Sequence, residues 1–140
     1  MSETNPDDGP ATEEALRSLR GLRRGLLHLH KALLDDERAW YEQAHGLVSS
    51  GELLQLVISH EQFAWLHAFS ELIVRIDELF DAEEPATADE ANALLAQARA
   101  LVTPSATGTD FQRKYFAAIQ REPTVALAHR DVTKLLPPDA

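Results

Sequence analysis

His60–Phe80, HEQFAWLHAFSELIVRIDELF, sets Phe63, Trp65, Leu66, Phe69, Leu72, Ile73, Ile76, Leu79 and Phe80 at short, mostly three- and four-residue steps. An α-helix turns once in about 3.6 residues, so these side chains cover more than half of its circumference. An element apolar on that much of its surface is buried on most sides, and this stretch is predicted to be the central helix of the chain.

Upstream, Leu22, Leu26, Leu29, Leu33, Trp40, Ala44 and Leu47 stack into one apolar stripe. The stripe predicts a helix from near Thr12 to Gly46 and places Trp40, like Trp65, in the core. Glu13 and Glu14 suit its first turn, where the helix dipole favours acids. Gly46 has no Cβ and suits the left-handed position that ends a helix. Gly21 and Gly25 weaken the early part and predict a kink or break there.

Four Ser/Thr-x-x-Glu/Gln boxes mark helix starts: Ser49…Glu52, Ser59…Gln62, Thr87…Glu90 and Thr109…Gln112. In each, the hydroxyl can accept an orphaned backbone N–H while the acid or amide reaches back to the cap residue. Downstream of the central helix, Asp81–Pro85 predicts a stop, and an alanine-rich helix runs from Thr87 to about Val102 before Pro104. Thr109 opens a helix with Phe111, Tyr115, Phe116 and Ile119 on one face, and Pro123 suits the first turn of the last helix. No alternating strand pattern or internal repeat is present. The expected fold is all-α: a single helical bundle of about five or six helices with an antiparallel central helical hairpin. Residues 1–11, acidic and rich in Pro and Gly, are expected to be a disordered tail, 12–136 one helical domain, and 137–140 a C-terminal tail.

At 140 residues and 44% hydrophobic content, the chain has enough apolar surface for one core. The absence of cysteine rules out disulfides, thiolate metal sites and thiol nucleophiles. A net charge of −10 argues against nucleic acid, whose phosphates call for clustered Lys and Arg. No apolar run reaches the roughly 20 residues that span a bilayer, and MSETNPDDGP is not a secretory signal, so the chain is expected to be soluble and cytoplasmic. Arg17, Arg20, Arg23, Arg24 and Lys31 form a basic zone that can be a solvated face, pack on the acidic centre or attract a partner.

No catalytic set is complete. Glu42-x-x-His45 matches one element of a ferritin-like di-iron site, but such a site needs a second copy and two more glutamates. The simpler reading leaves Glu42 in solvent and His45 finishing its helix. Arg38 and His45 have the Arg-x6-His spacing of HEPN-type ribonucleases, as several other Arg and His pairs nearly do, and the acidity of the chain disfavours RNA. His60 and His67 stand about two turns apart, too far for one metal ion without help. They read as boundary residues, and His28 and His129 as surface groups. No metal ligand set and no cofactor are assigned.

More informative are polar residues inside the apolar arcs. His30, Glu37 and Tyr41 fall on the inward side of the first long helix, and Ser70 and Asp77 on that of the central helix. Buried ionisable groups need partners, so the five form a structural hydrogen-bond lane or the floor of a pocket. If the two helices pack antiparallel, a single register pairs His30 with Asp77 and Glu37 with Ser70.

HKALLDDERAWYEQAHG (His30–Gly46) followed by ELLQLVISHEQFAWLHAFSELIVRIDELF (Glu52–Phe80) resembles a group of small all-helical bacterial proteins to which no activity is assigned. The resemblance covers most of the chain after the tail and implies no site residue; the Ala, Leu and Arg usage also suits a GC-rich bacterium. The leading functional reading is a non-enzymatic protein-interaction module that self-associates, without nucleic-acid or membrane partners. The alternative is a metal- or small-ligand-binding enzyme built on the polar lane.

Overall fold

The structure, a computed structural model, describes residues 9–137. Those residues form an all-α fold of seven helices with no strand: α1 (Glu13–His45), α2 (Ser50–Ser59), α3 (Glu61–Ala64), α4 (His67–Asp81), α5 (Ala88–Leu101), α6 (Asp110–Arg121) and α7 (Pro123–Leu135). Residues 1–8 of the expected tail, and 138–140, lie outside the described residues. Gly9–Ala11 are fastened to the loop before α5: Ala11 N–H donates to the Ala86 carbonyl at 2.9 Å and Ala88 N–H to Gly9 at 2.7 Å.

α1 runs unbroken for 33 residues, from the Thr12 cap to Gly46 at φ 87°. No break occurs at Gly21 or Gly25, and both glycines have another purpose. A Cβ at Gly25 would stand 3.1 Å from Val132 Cγ2 and 3.2 Å from Leu135 Cδ1, and one at Gly21 would stand 3.4 Å from Leu135 Cδ2. The missing side chains let α7 approach α1 closely.

The core joins Leu19, Leu22, Leu26, Leu29 and Leu33 of α1 to Phe69, Leu72 and Ile76 of α4, Tyr115 of α6, and Val125 and Val132 of α7, all fully buried. Burial of each large side chain contributes roughly 1.5–3 kcal/mol. Along α1 and its neighbours, partner numbers fall as α1 numbers rise: Arg23 meets Asp77, His30 meets Ser70, and Glu37 meets Gln62.

The central helix is divided. Leu66 N–H donates to Phe63 and Phe69 N–H to Leu66, both at 3.1 Å, so a tighter three-residue turn separates α3 from α4. Residues three apart eclipse in such a turn, which turns Phe63, Leu66 and Phe69 together into the core, all fully buried.

Three of the four expected caps are found. Ser49, Thr87 and Thr109 accept N–H groups of Glu52, Glu90 and Gln112 at 3.1–3.2 Å, and the last two complete reciprocal boxes. Ser59 does not cap. It closes α2, donating to the Gln55 carbonyl at 2.8 Å, and the break falls one residue later at His60.

Candidate functional site

The structure brings together His30 and Ser70, and separates the rest of the polar lane into three groups. His30 Nε2 lies 3.2 Å from Ser70 Oγ; burial, and then the charge of His67, hold its pKa below the ordinary imidazole value. Glu37, only 8% exposed, accepts from Gln62 Nε2 at 2.9 Å and Trp65 Nε1 at 3.2 Å. Asp77 pairs with Arg23 across a half-exposed seam. Tyr41 packs its ring among those of His45, His60 and Phe63, with centroids 4.3, 5.5 and 6.1 Å away.

The expected pairs His30–Asp77 and Glu37–Ser70 are therefore corrected by a shift of seven residues along α4. Heptad spacing on both helices sets polar against polar in either register, so spacing could not choose. The observed register gives Asp77 the guanidinium of Arg23 and leaves buried Glu37 opposite two donors, so each of these acids has a partner.

Sequence reasoning missed the partner that completes this centre. Arg121, in the last turn of α6, donates Nε and Nη2 to Asp36 Oδ2 at 2.9 and 2.6 Å, approaches Glu37 Oε1 at 3.7 Å and lies 5.2 Å over the Trp40 ring. Asp36 is also 8% exposed. The signal was the Asp36-Glu37 pair inside an otherwise leucine-rich helix, which calls for a cation; its source 85 residues away was not legible. Trp40, Gln62, Ala44, Glu37 and Arg121 line an open cleft of about 400 Å³.

Other histidines and acids also moved from their expected places. Glu42 is not a solvated acid: Oε2 accepts Val48 N–H at 2.9 Å beside Arg38, which donates to the Val48 carbonyl at 2.7 Å. His129 is half-buried, with Nδ1 2.5 Å from the hydroxyl of fully buried Tyr115. Burial lowers the His129 pKa and raises that of Tyr115, so both are favoured neutral. Of the basic zone, Arg20 stacks over Phe80, Arg23 pairs with Asp77 and Lys31 with Asp35. Among the described residues, no three His, Asp or Glu side chains converge as a metal ligand set.

Trp40 is 51% exposed, which corrects its expected burial, and Trp65 is half-buried against Phe69 and Phe111. Exposure is greatest around α2. None of its ten residues is buried; Leu53, Leu56 and Val57 rest on the core, while Leu54 and Ile58 are 58% and 61% exposed beside Leu47 at 90%. Leu54 and Ile58, four residues apart, share one face of α2, and Leu47 lies in the link before it. Among the described residues no helix is long and apolar enough to cross a membrane. No family model, curated protein or solved structure matches the chain.

Proposed function

We propose that this chain is a single helical bundle, with α1 and the α3–α4 stretch as its antiparallel central hairpin, that acts as a non-enzymatic interaction module and self-associates through the outer face of α2. The observation that carries this reading is the exposure of Leu54 and Ile58 on one face of α2, with exposed Leu47 in the link that precedes it. Exposed apolar groups gathered on one face mark interaction surfaces far better than scattered ones do.

The occupant is a second copy. At a net charge of −10, two copies repel across most of their surfaces, and an uncharged apolar face is where they meet at least electrostatic cost. Two such faces related by a twofold axis are self-complementary. The polar lane supports the same non-enzymatic reading, because His30 meets Ser70, Asp77 meets Arg23, and Glu37 is held by Gln62, Trp65 and Arg121. The cysteine-free composition fits a cytoplasmic location.

Sedimentation equilibrium of the wild type and of a Leu54→Asp/Ile58→Asp variant tests the proposal. A concentration-dependent dimer that the variant loses, with its helical circular dichroism kept, is the expected result. A wild type that stays monomeric to about 100 µM, well above the micromolar range of typical specific interfaces, would sink it.

A further inference from the structure

Helices α1 and α7 run antiparallel, since Gly21 faces Leu135 while Gly25 faces Leu135 and Val132. Beside this contact they leave an open cleft of about 510 Å³, within the roughly 300–1,000 Å³ of small-molecule sites. The cleft reaches from Gly21 and Leu135 at one end to Ala32 and Thr124 at the other, roughly 16 Å along α1 at the helical rise. Gly21, Gly25 and Ala32 put no bulky side chain into it, and its apolar lining comes from Leu127, Ala128 and Leu135. Leu127 is 60% exposed and Leu135 38%, so a ligand that covers them gains by removing apolar surface from water.

Two opposite charges border the cleft at one level. Arg24 precedes Gly25 on α1, Asp131 precedes Val132 on α7, and Gly25 and Val132 are neighbours across the helix contact. Among the described residues, neither Arg24 nor Asp131 makes a side-chain hydrogen bond or an ion pair. Other charges near them are committed: Arg23 to Asp77, Lys31 to Asp35, Arg121 to Asp36, and Glu122 to the Thr124 N–H. A cation on the α1 wall and a carboxylate on the α7 wall set a field across the cleft. A singly charged ligand is drawn to one wall and repelled by the other. A molecule that carries both charges satisfies both walls.

We propose that this cleft binds a free apolar α-amino acid, with its carboxylate on Arg24, its ammonium on Asp131 and its side chain on Leu127, Ala128 and Leu135. The guanidinium presents a planar fork of donors that matches a carboxylate, and the Asp131 carboxylate accepts from the ammonium. His28, one turn on from Arg24, adds a ring nitrogen to the same wall. The cleft shares no residue with the outer face of α2, so this inference and the docking reading stand or fall separately.

An amide NMR titration of the full chain with L-phenylalanine tests the site, with hydrocinnamate and phenethylamine as probes that each lack one of the two charges. The expected result is saturable shifts at Gly21, Gly25, Ala32 and Ala128, with a dissociation constant of about 1 mM, the weak binding that an open site allows. Each singly charged probe should bind about tenfold more weakly, the loss that follows removal of one charge-assisted hydrogen bond. Arg24 and Asp131 are both exposed, so Arg24→Gln and Asp131→Asn keep the fold, and each should weaken L-phenylalanine by a similar factor. No saturable shift up to about 20 mM, well beyond the millimolar range, would overturn the site. So would shifts centred away from the α1–α7 cleft, a singly charged probe that binds as tightly as L-phenylalanine, or variants that bind it as the wild type does.

Discussion

The two halves of α1 share one apolar periodicity and meet opposite fates. In the first half Leu19, Leu22, Leu26, Leu29 and Leu33 are fully buried. In the second half Trp40 and Ala44 are exposed, while the acids Asp36 and Glu37 are buried beside them. The first half is covered by α4, α5 and α7. The second meets short α3 and the end of α6, whose Arg121 turns the contact polar. Periodicity says which residues share a face; only the neighbours decide whether that face is covered.

The sharpest way to break this contrast is to truncate one large apolar residue in each half and measure urea denaturation. Leu26→Ala is expected to destabilise by about 3 kcal/mol, within the usual range for a fully buried leucine. Trp40→Ala should lose only about 1 kcal/mol, mainly its contact with the Arg121 guanidinium. Equal losses would mean the second half is covered after all.

The buried acids offer the next test. Glu37→Leu leaves the Gln62 and Trp65 donors without their acceptor, and about 2 kcal/mol should be lost. If the acid were a bystander, the change would be neutral or stabilising.

A smaller effect separates the two glycines of the first half. Gly21→Ala meets Leu135 at an ordinary contact distance, so the gain in helix propensity, up to about 1 kcal/mol, should raise the melting temperature. Gly25→Ala presses on Val132, which is fully buried and cannot give way, and should lower it. The opposite order would mean that α7 does not lie against α1 at these residues.

Acid should act on two histidines, His30 of the first half of α1 and His129 of α7. His30 and His129 have folded pKa values below the ordinary 6.5, so the unfolded chain takes up their protons more readily. Their contribution to stability is present above about pH 6.5 and is lost as pH falls through the lowered folded values. The melting temperature should therefore fall between about pH 7.5 and pH 5, and less so in His129→Phe. A variant that matches the wild type would remove His129 from the account.

The smallest effect belongs to the caps. Thr109→Ala should lose about 1 kcal/mol and Ser59→Ala much less, because Ser59 donates to Gln55 rather than accepting at a helix start. Similar losses would restore Ser59 as a cap.

Much of the fold was legible because its causes are local. Thr87 with Glu90, and Thr109 with Gln112, mark their helix starts through bonds made within one turn, and Gly46 ends α1 through its own backbone freedom. The all-α class followed from apolar spacing, which is set by helix geometry alone. Of the candidate site, the sequence identified Glu37 and His30 as inward polar residues needing partners. Their partners were decided by tertiary structure: a seven-residue slip along α4 exchanges Asp77 for Ser70 beside His30 while preserving every local rule. Arg121 reaches Asp36 because α6 ends there, and Trp40 stays 51% exposed beneath the Arg121 guanidinium. Local hydrogen bonds and periodicity are written in neighbouring residues. Register, coverage and long-range charge pairing depend on how whole helices settle against one another.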